Sequence, residues 1–106
     1  MIRRGEVRWY RFSRPDKRRP VLILTRDSAL AFLDEATVAP ITSTIRDIPS
    51  EVMLTRAHGM ARDCAVNLDH LQTVSQKRVG ALVTSLDSRT MAEVRRALLF
   101  ALQMDR

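Results

Sequence analysis

Two short runs hold side chains suited to phosphate chemistry. The first is Lys17-Arg18-Arg19-Pro20-Val21-Leu22-Ile23-Leu24, a basic cluster entering an apolar stretch. The second is Val38-Ala39-Pro40-Ile41-Thr42-Ser43-Thr44, an apolar stretch leaving into a hydroxyl cluster. Both apolar stretches have strand composition. If the strands are neighbours in one sheet, Arg19 and Thr42 can meet at a shared edge. The planar fork of a guanidinium matches phosphate oxygens, and a hydroxyl can donate to them or help move a proton. Pro20 restrains Arg19 to extended backbone, which helps aim its side chain. Each residue also has a plainer reading. Arg19 is one of three adjacent cations, and Thr42 can bond its own turn.

The elements that must position these groups are short. Gly5 to Phe12 fits a strand, although Tyr10, Arg11 and Phe12 blur its alternation. Ser13 to Arg19 reads as a polar loop, and Pro20 as the opening of the next strand, where a missing N–H is tolerated. Val21 to Leu24 is uniformly apolar, which predicts a central strand. Asp27 or Ser28 is a candidate cap for a short helix through Leu33. Strands follow over Thr37 to Ile41, Ser50 to Thr55, Ala65 to Leu68, Leu71 to Val74 and Val79 to Leu86, with a loop from Arg56 to Asp63. Strands this close together favour hairpins and a curled antiparallel sheet over parallel crossover units. Asp87 is the expected cap of a helix from about Ser88 to Gln103. Its stripe is Met91, Val94, Leu98 and Leu102 with Ala101 beside it, and Arg89, Glu93 and Arg96 face water. The helix should close the open side of the sheet.

Charge is uneven along the chain. Residues 1–19 hold eight basic side chains, seven of them arginine, against the acids Glu6 and Asp16. That segment therefore carries the whole net charge of +6, and the rest balances. Such a field suits a polyanionic partner, nucleic acid or an acidic protein segment, and equally a solvated basic face. With 106 residues, 45% of them apolar, the chain is sized for one domain with a core. No stretch approaches the ~20 apolar residues of a membrane span, so no membrane partner is expected. The absence of a signal-peptide pattern and the lone Cys64 favour the cytoplasm. His58, His70 and Cys64 lie at spacings that match no metal cluster, so no metal or other cofactor is expected. His58 is expected at the surface, and Trp9 in the core or at a dimer interface rather than as an RNA platform.

The ordered set of blocks resembles the MazF/PemK toxins of bacterial toxin–antitoxin pairs. Arg4-Gly5-Glu6-Val7-Arg8-Trp9 is similar to the family's opening, a glycine and an acid before an apolar strand with an aromatic. Lys17 to Leu24 is similar to its "RPVLVL" block, and Ala39-Pro40-Ile41-Thr42-Ser43 to its strand ending in a proline–apolar–threonine turn. Asp63-Cys64-Ala65-Val66-Asn67-Leu68-Asp69-His70-Leu71-Gln72-Thr73-Val74 resembles its "DSVVNLDQIRTI" block, and Val79-Gly80 with the terminal helix completes the order.

The resemblance implies a single toxin domain over residues 1–106, mainly β in an α+β class. Its fold would be an SH3-like, partly closed antiparallel β-barrel of the CcdB/PemK type with a C-terminal helix. It implies a homodimer and a metal-independent endoribonuclease that cuts single-stranded RNA, often messenger RNA, at short sequences through 2′-hydroxyl attack. It implies a cognate antitoxin whose acidic, flexible tail lies over the RNA groove. Arg19 and Thr42 match the family's catalytic pair, with Ser43 adjacent. Several family members carry a glutamate in the loop ahead of the arginine. Here Arg14 stands near that place, and Asp16, the loop's single carboxylate, is the substitute candidate. His70 and Gln72 match base-reading positions, and Cys64 replaces a frequent serine. The loops around Arg14 and Arg62 are the alternative source of base reading. Two other functions fit the same fold. One is a gyrase poison of the CcdB type, although those act through a C-terminal end bearing a tryptophan and this chain ends Leu102-Gln103-Met104-Asp105-Arg106. The other is a non-catalytic RNA-binding barrel.

Overall fold

The computed structural model describes residues 1–12 and 17–106. Seven antiparallel strands form one curled sheet. They are β1 (Glu6–Arg11), β2 (Arg18–Ile23), β3 (Glu35–Thr42), β4 (Glu51–Leu54), β5 (Cys64–Asn67), β6 (Gln72–Ser75) and β7 (Val79–Ser85). Helix α1 (Asp27–Leu30) joins β2 to β3, and α2 (Ser88–Ala101) ends the fold. The strand order is β4-β5-β3-β2-β1-β7, with β6 pairing β3 beyond β5. The outer strands β4 and β7 are not bonded to each other, so the barrel is partly closed, as the resemblance implied.

β2 is central because both of its faces are covered. Leu22 packs with Val7, Ala39, Ile41, Val52, Leu54, Val66, Val94 and Ala97 on the side closed by α2. Val21 and Ile23 pack on the opposite side with Ile2, Tyr10, Leu30, Ala36, Val38 and Val74. This explains the unbroken apolar run, since a strand buried on both faces loses its alternation. The strand starts earlier than expected, and Pro20 sits inside it, opposite Trp9 of β1. Pairing with β3 begins only at Val21↔Pro40. Pro20 therefore lies where β2 still has a free edge and needs no N–H partner on that side.

Two helix expectations change. Neither Asp27 nor Ser28 caps α1; the N-cap is Arg26, and no side chain caps it. The Asp27 carboxylate instead accepts the backbone N–H of Arg4 at 2.7 Å, tying the N-terminal turn to α1. For α2, Asp87 is the cap as expected, accepting the Thr90 N–H at 2.8 Å. The buried face is Thr90, Val94 and Ala97, with Met91, Leu98 and Ala101 packed beside it. Leu102 is 52% exposed because the helix ends at Ala101 and Leu102 is its C-cap. No described helix is long and apolar enough to cross a membrane.

Candidate functional site

The ends of β2 and β3 bring the two runs together. The bonded register pairs Val21 with Pro40, Leu22 with Ala39 and Ile23 with Val38. Continued outward by the same rule, Arg19 falls opposite Thr42. The strands part before that point: the bonded register with β2 ends at Val21↔Pro40, and the far end of β3 continues on its other edge with β5, Thr42 opposite Ala65. The parting opens a groove of about 760 Å³, a size typical of ligand sites. Arg19, Thr42 and Ser43 line it with Thr44 and Ile41 from β3 and its exit turn. Lys17, Arg18, Pro20 and Trp9 form the β1–β2 wall, and Met60, Ala61, Arg62, Cys64 and Val83 the facing wall.

The electrostatics follow from that lining. Lys17, Arg18, Arg19 and Arg62 border the groove, and no carboxylate appears among its described lining residues. Two other early arginines, Arg8 and Arg4, are tied into the fold. Arg8 donates from Nε to Glu6 at 2.8 Å and from Nη1 to the Gly80 carbonyl at 3.1 Å. Arg4 donates from Nε to the Leu24 carbonyl at 2.8 Å. Burial alone would push the Glu6 carboxyl up, yet the Arg8 bond and the Arg3 N–H hold it below the ordinary range. The described part of the basic segment thus holds both structural cations, Arg4 and Arg8, and groove cations, Lys17, Arg18 and Arg19, a difference that charge counting could not show.

Thr42 keeps a usable proton. Its Oγ1 accepts the Thr44 backbone N–H at 3.0 Å, the turn-bonding role read as the plainer alternative. That bond occupies a lone pair and leaves the O–H free to donate into the groove. Cys64 is buried and lines the same groove. Burial raises the pKa of its thiol, the neighbouring Asp63 adds to the shift, and the sulfur lies 3.9 Å from the Leu54 carbonyl. Burial thus favours the neutral thiol in this part of the wall.

Arg14 and Asp16 lie outside the described residues. His70 and Gln72 do not line the groove. His70 is exposed in the turn after β5, its Nδ1 3.1 Å from Asn67 Nδ2, and Gln72 opens β6 opposite Val38.

The facing wall is fixed by a device that sequence reading missed. His58 is half-buried, not on the surface. Its Nδ1 accepts the Thr55 N–H at 2.9 Å while Thr55 Oγ1 accepts the Ala57 N–H at 3.2 Å. This reciprocal cap holds the 3₁₀ turn Arg56–His58. Gly59 follows at φ 93°, a left-handed conformation that favours glycine, and Thr84 of β7 donates to the His58 carbonyl at 2.9 Å. The chain then runs directly into Met60, Ala61 and Arg62. A threonine three residues ahead of a histidine, followed by glycine, is the signal that could have revealed it.

Comparison with known proteins agrees with this geometry. Residues 3–102 match the family model described as PemK-like, MazF-like toxin of type II toxin-antitoxin system. The chain is 43% identical over 103 residues to the probable endoribonuclease MazF5 of Mycobacterium tuberculosis, covering 95% of this chain and 89% of that protein. It is 32% identical to the endoribonuclease EndoA of Bacillus subtilis, covering 81% and 77% respectively. The solved structure of Mycobacterium tuberculosis toxin MazF-mt6 superposes with a TM-score of 0.86 at 31% identity, over 95% of this chain and 99% of that one. With its strand order, its cationic groove and these matches, the chain belongs to the PemK-like, MazF-like toxin family of type II toxin–antitoxin systems.

Proposed function

We propose that the groove between the ends of β2 and β3 is where this toxin, an endoribonuclease, holds and cuts single-stranded RNA. One observation carries the proposal. A groove bordered by four described cations and no described carboxylate is lined by both Arg19 and Thr42, whose hydroxyl keeps a proton to donate. Such a site attracts a polyanion and presents aligned donors where negative charge grows.

The reaction follows from the substrate. The ribose 2′-hydroxyl loses its proton, and O2′ bonds to the neighbouring phosphorus. The bond from phosphorus to O5′ breaks, and O5′ takes up a proton as it leaves. The products are a 2′,3′-cyclic phosphate and a free 5′-hydroxyl. In the five-coordinate transition state the non-bridging oxygens gain negative charge. Arg19 offers two parallel N–H donors to those oxygens, and Thr42 offers one O–H. Fixed donors in a partly water-excluded site stabilise such charge more than mobile water does. No step needs a metal. Asp16 is the candidate for proton transfer, and His70 and Gln72 for reading bases beyond the groove's end.

The toxin acts as a homodimer in the cytoplasm until its antitoxin, through an acidic flexible segment, covers the groove. Incubation of the pure protein with RNA in excess chelator tests the enzymatic reading. Cuts leaving cyclic-phosphate and 5′-hydroxyl ends, lost in Arg19→Ala, are expected. Bound but intact RNA would make the domain a non-catalytic binder. Inert RNA together with gyrase inhibition would make it a gyrase poison.

A further inference from the structure

Trp9 is neither in the core nor hidden in the sheet. It is half-buried in β1 and forms part of the groove wall. Its position is built with some care. Across β1 and β2, Trp9 pairs with Pro20, whose chain neighbour is Arg19. On the other edge the β1–β7 register breaks around it, from Arg8↔Leu82 to Tyr10↔Val79. Gly80 and Ala81 of β7 thus stand against Trp9 alone. Such a bulge re-aims a side chain. Gly80 makes the approach possible, since a Cβ there would lie 3.1 Å from the Trp9 carbonyl oxygen and 3.6 Å from its Cβ. Trp9 is thus flanked by Pro20 on one edge and Gly80 on the other, and is the single aromatic among the groove's described lining residues.

Among the described residues, one cation stacks on the ring. The guanidinium carbon of Arg18 sits 4.3 Å from the ring centroid. Arg18 is the diagonal neighbour, since its own register partner is Arg11. It is exposed, and among the described residues no carboxylate pairs with it. A flat cation stacked on an indole occupies the place that a nucleobase would take. Base stacking on an aromatic outlasts the attraction of an exposed cation to the same ring.

We propose that Trp9 is a base-stacking platform for the nucleotide beside the cut phosphate, with Arg18 as its resting cover. On binding, a base displaces the guanidinium, and Arg18 moves to a flanking phosphate. Platform and cover line the same groove as Arg19, so the stacked base helps fix the sugar that carries the reacting phosphate. Stacking is tolerant of base identity, because every base has a flat face. The platform therefore supplies affinity and alignment and leaves sequence reading to other contacts. The inference rests on the nucleic-acid reading of the groove, and the following experiment tells the two apart.

Trp9 is the single tryptophan of the chain, so its fluorescence reports this site alone. The probes are a 2′-O-methyl oligoadenylate, which cannot be cut, and an abasic backbone with the same number of phosphates. Binding is followed separately by anisotropy of a dye at the probe end. The oligoadenylate should quench Trp9 and shield it from iodide. The abasic backbone should bind through charge and leave the emission unchanged. Trp9→Leu should weaken the oligoadenylate about 5- to 150-fold and the abasic backbone hardly at all, and Trp9→Phe should recover most of the loss. Binding of oligoadenylate without quenching, or equal quenching by both probes, would overturn the platform while leaving the groove's function standing. No binding of either probe would overturn the nucleic-acid reading and the platform with it.

Discussion

Arg19→Lys separates geometry from charge. Four described cations border the groove, and lysine preserves their number. Single-stranded RNA binding loses affinity with salt at a slope near −0.7 per phosphate neutralised. If all four cations meet phosphates, the groove contributes a slope of about −3, unchanged in Arg19→Lys and reduced by about 0.7 in Arg19→Ala. The chemical step responds differently. Lysine presents a point charge and cannot hold two oxygens in a fixed plane. Loss of one aligned donor to transition-state charge costs on the order of 10²–10³ in rate. Single-turnover cleavage, measured beside equilibrium binding over a range of salt, should therefore show Arg19→Lys almost as slow as Arg19→Ala and binding like the parent. Arg3→Lys, outside the groove, should match the parent in both. Near-parental cutting by Arg19→Lys would mean that Arg19 supplies only bulk charge, and the active-site assignment would fall.

Other consequences are separable. Thr42→Ala should slow cleavage by on the order of 10²-fold, and Thr42→Ser, which keeps both the O–H and the turn acceptor, should recover most of it; equal loss in both variants would exclude the hydroxyl. His70→Ala and Gln72→Ala should change which sequences are cut more than how fast, as read by sequencing the cut ends; unchanged sequences in both would move base reading to the loops near Arg14 and Arg62. Glu6 and Asp87 both have folded pKa values held below their ordinary range, so each adds stability that is present above its unfolded pKa and lost as pH falls through the folded one. Denaturant titrations should therefore show stability dropping through the acid range, less steeply in Asp87→Asn. Light scattering at micromolar concentration should give a dimer of the 12.1 kDa chain; a lone monomer would contradict the pairing.

The strands were legible because their composition is local. Val21 to Leu24 announces a central strand, and the structure places it with both faces covered. The meeting of Arg19 with Thr42 was legible as a condition, that β2 and β3 be neighbours, which the register satisfies. What stayed hidden depends on partners distant in sequence. The Asp27 carboxylate reads as a helix cap, but the Arg4 N–H, 23 residues earlier, takes it. Trp9 reads as core or dimer interface because it is large and apolar, and the structure places it in the groove wall, at the bulge opposite Gly80. Arg62 is one loop cation among many until the capped turn at Thr55 and His58 carries it to the groove. His70 and Gln72 came from resemblance alone, and they lie off the groove wall.

The most direct measurement is a crystal structure of the protein with an RNA carrying 2′-deoxyribose at the cut nucleotide, so that the attacking hydroxyl is missing and the complex persists. The account predicts the cut phosphate between β2 and β3, with its oxygens at hydrogen-bonding distance from the Arg19 guanidinium and the Thr42 hydroxyl. A cut phosphate held elsewhere, with Arg19 and Thr42 free of it, would contradict the account.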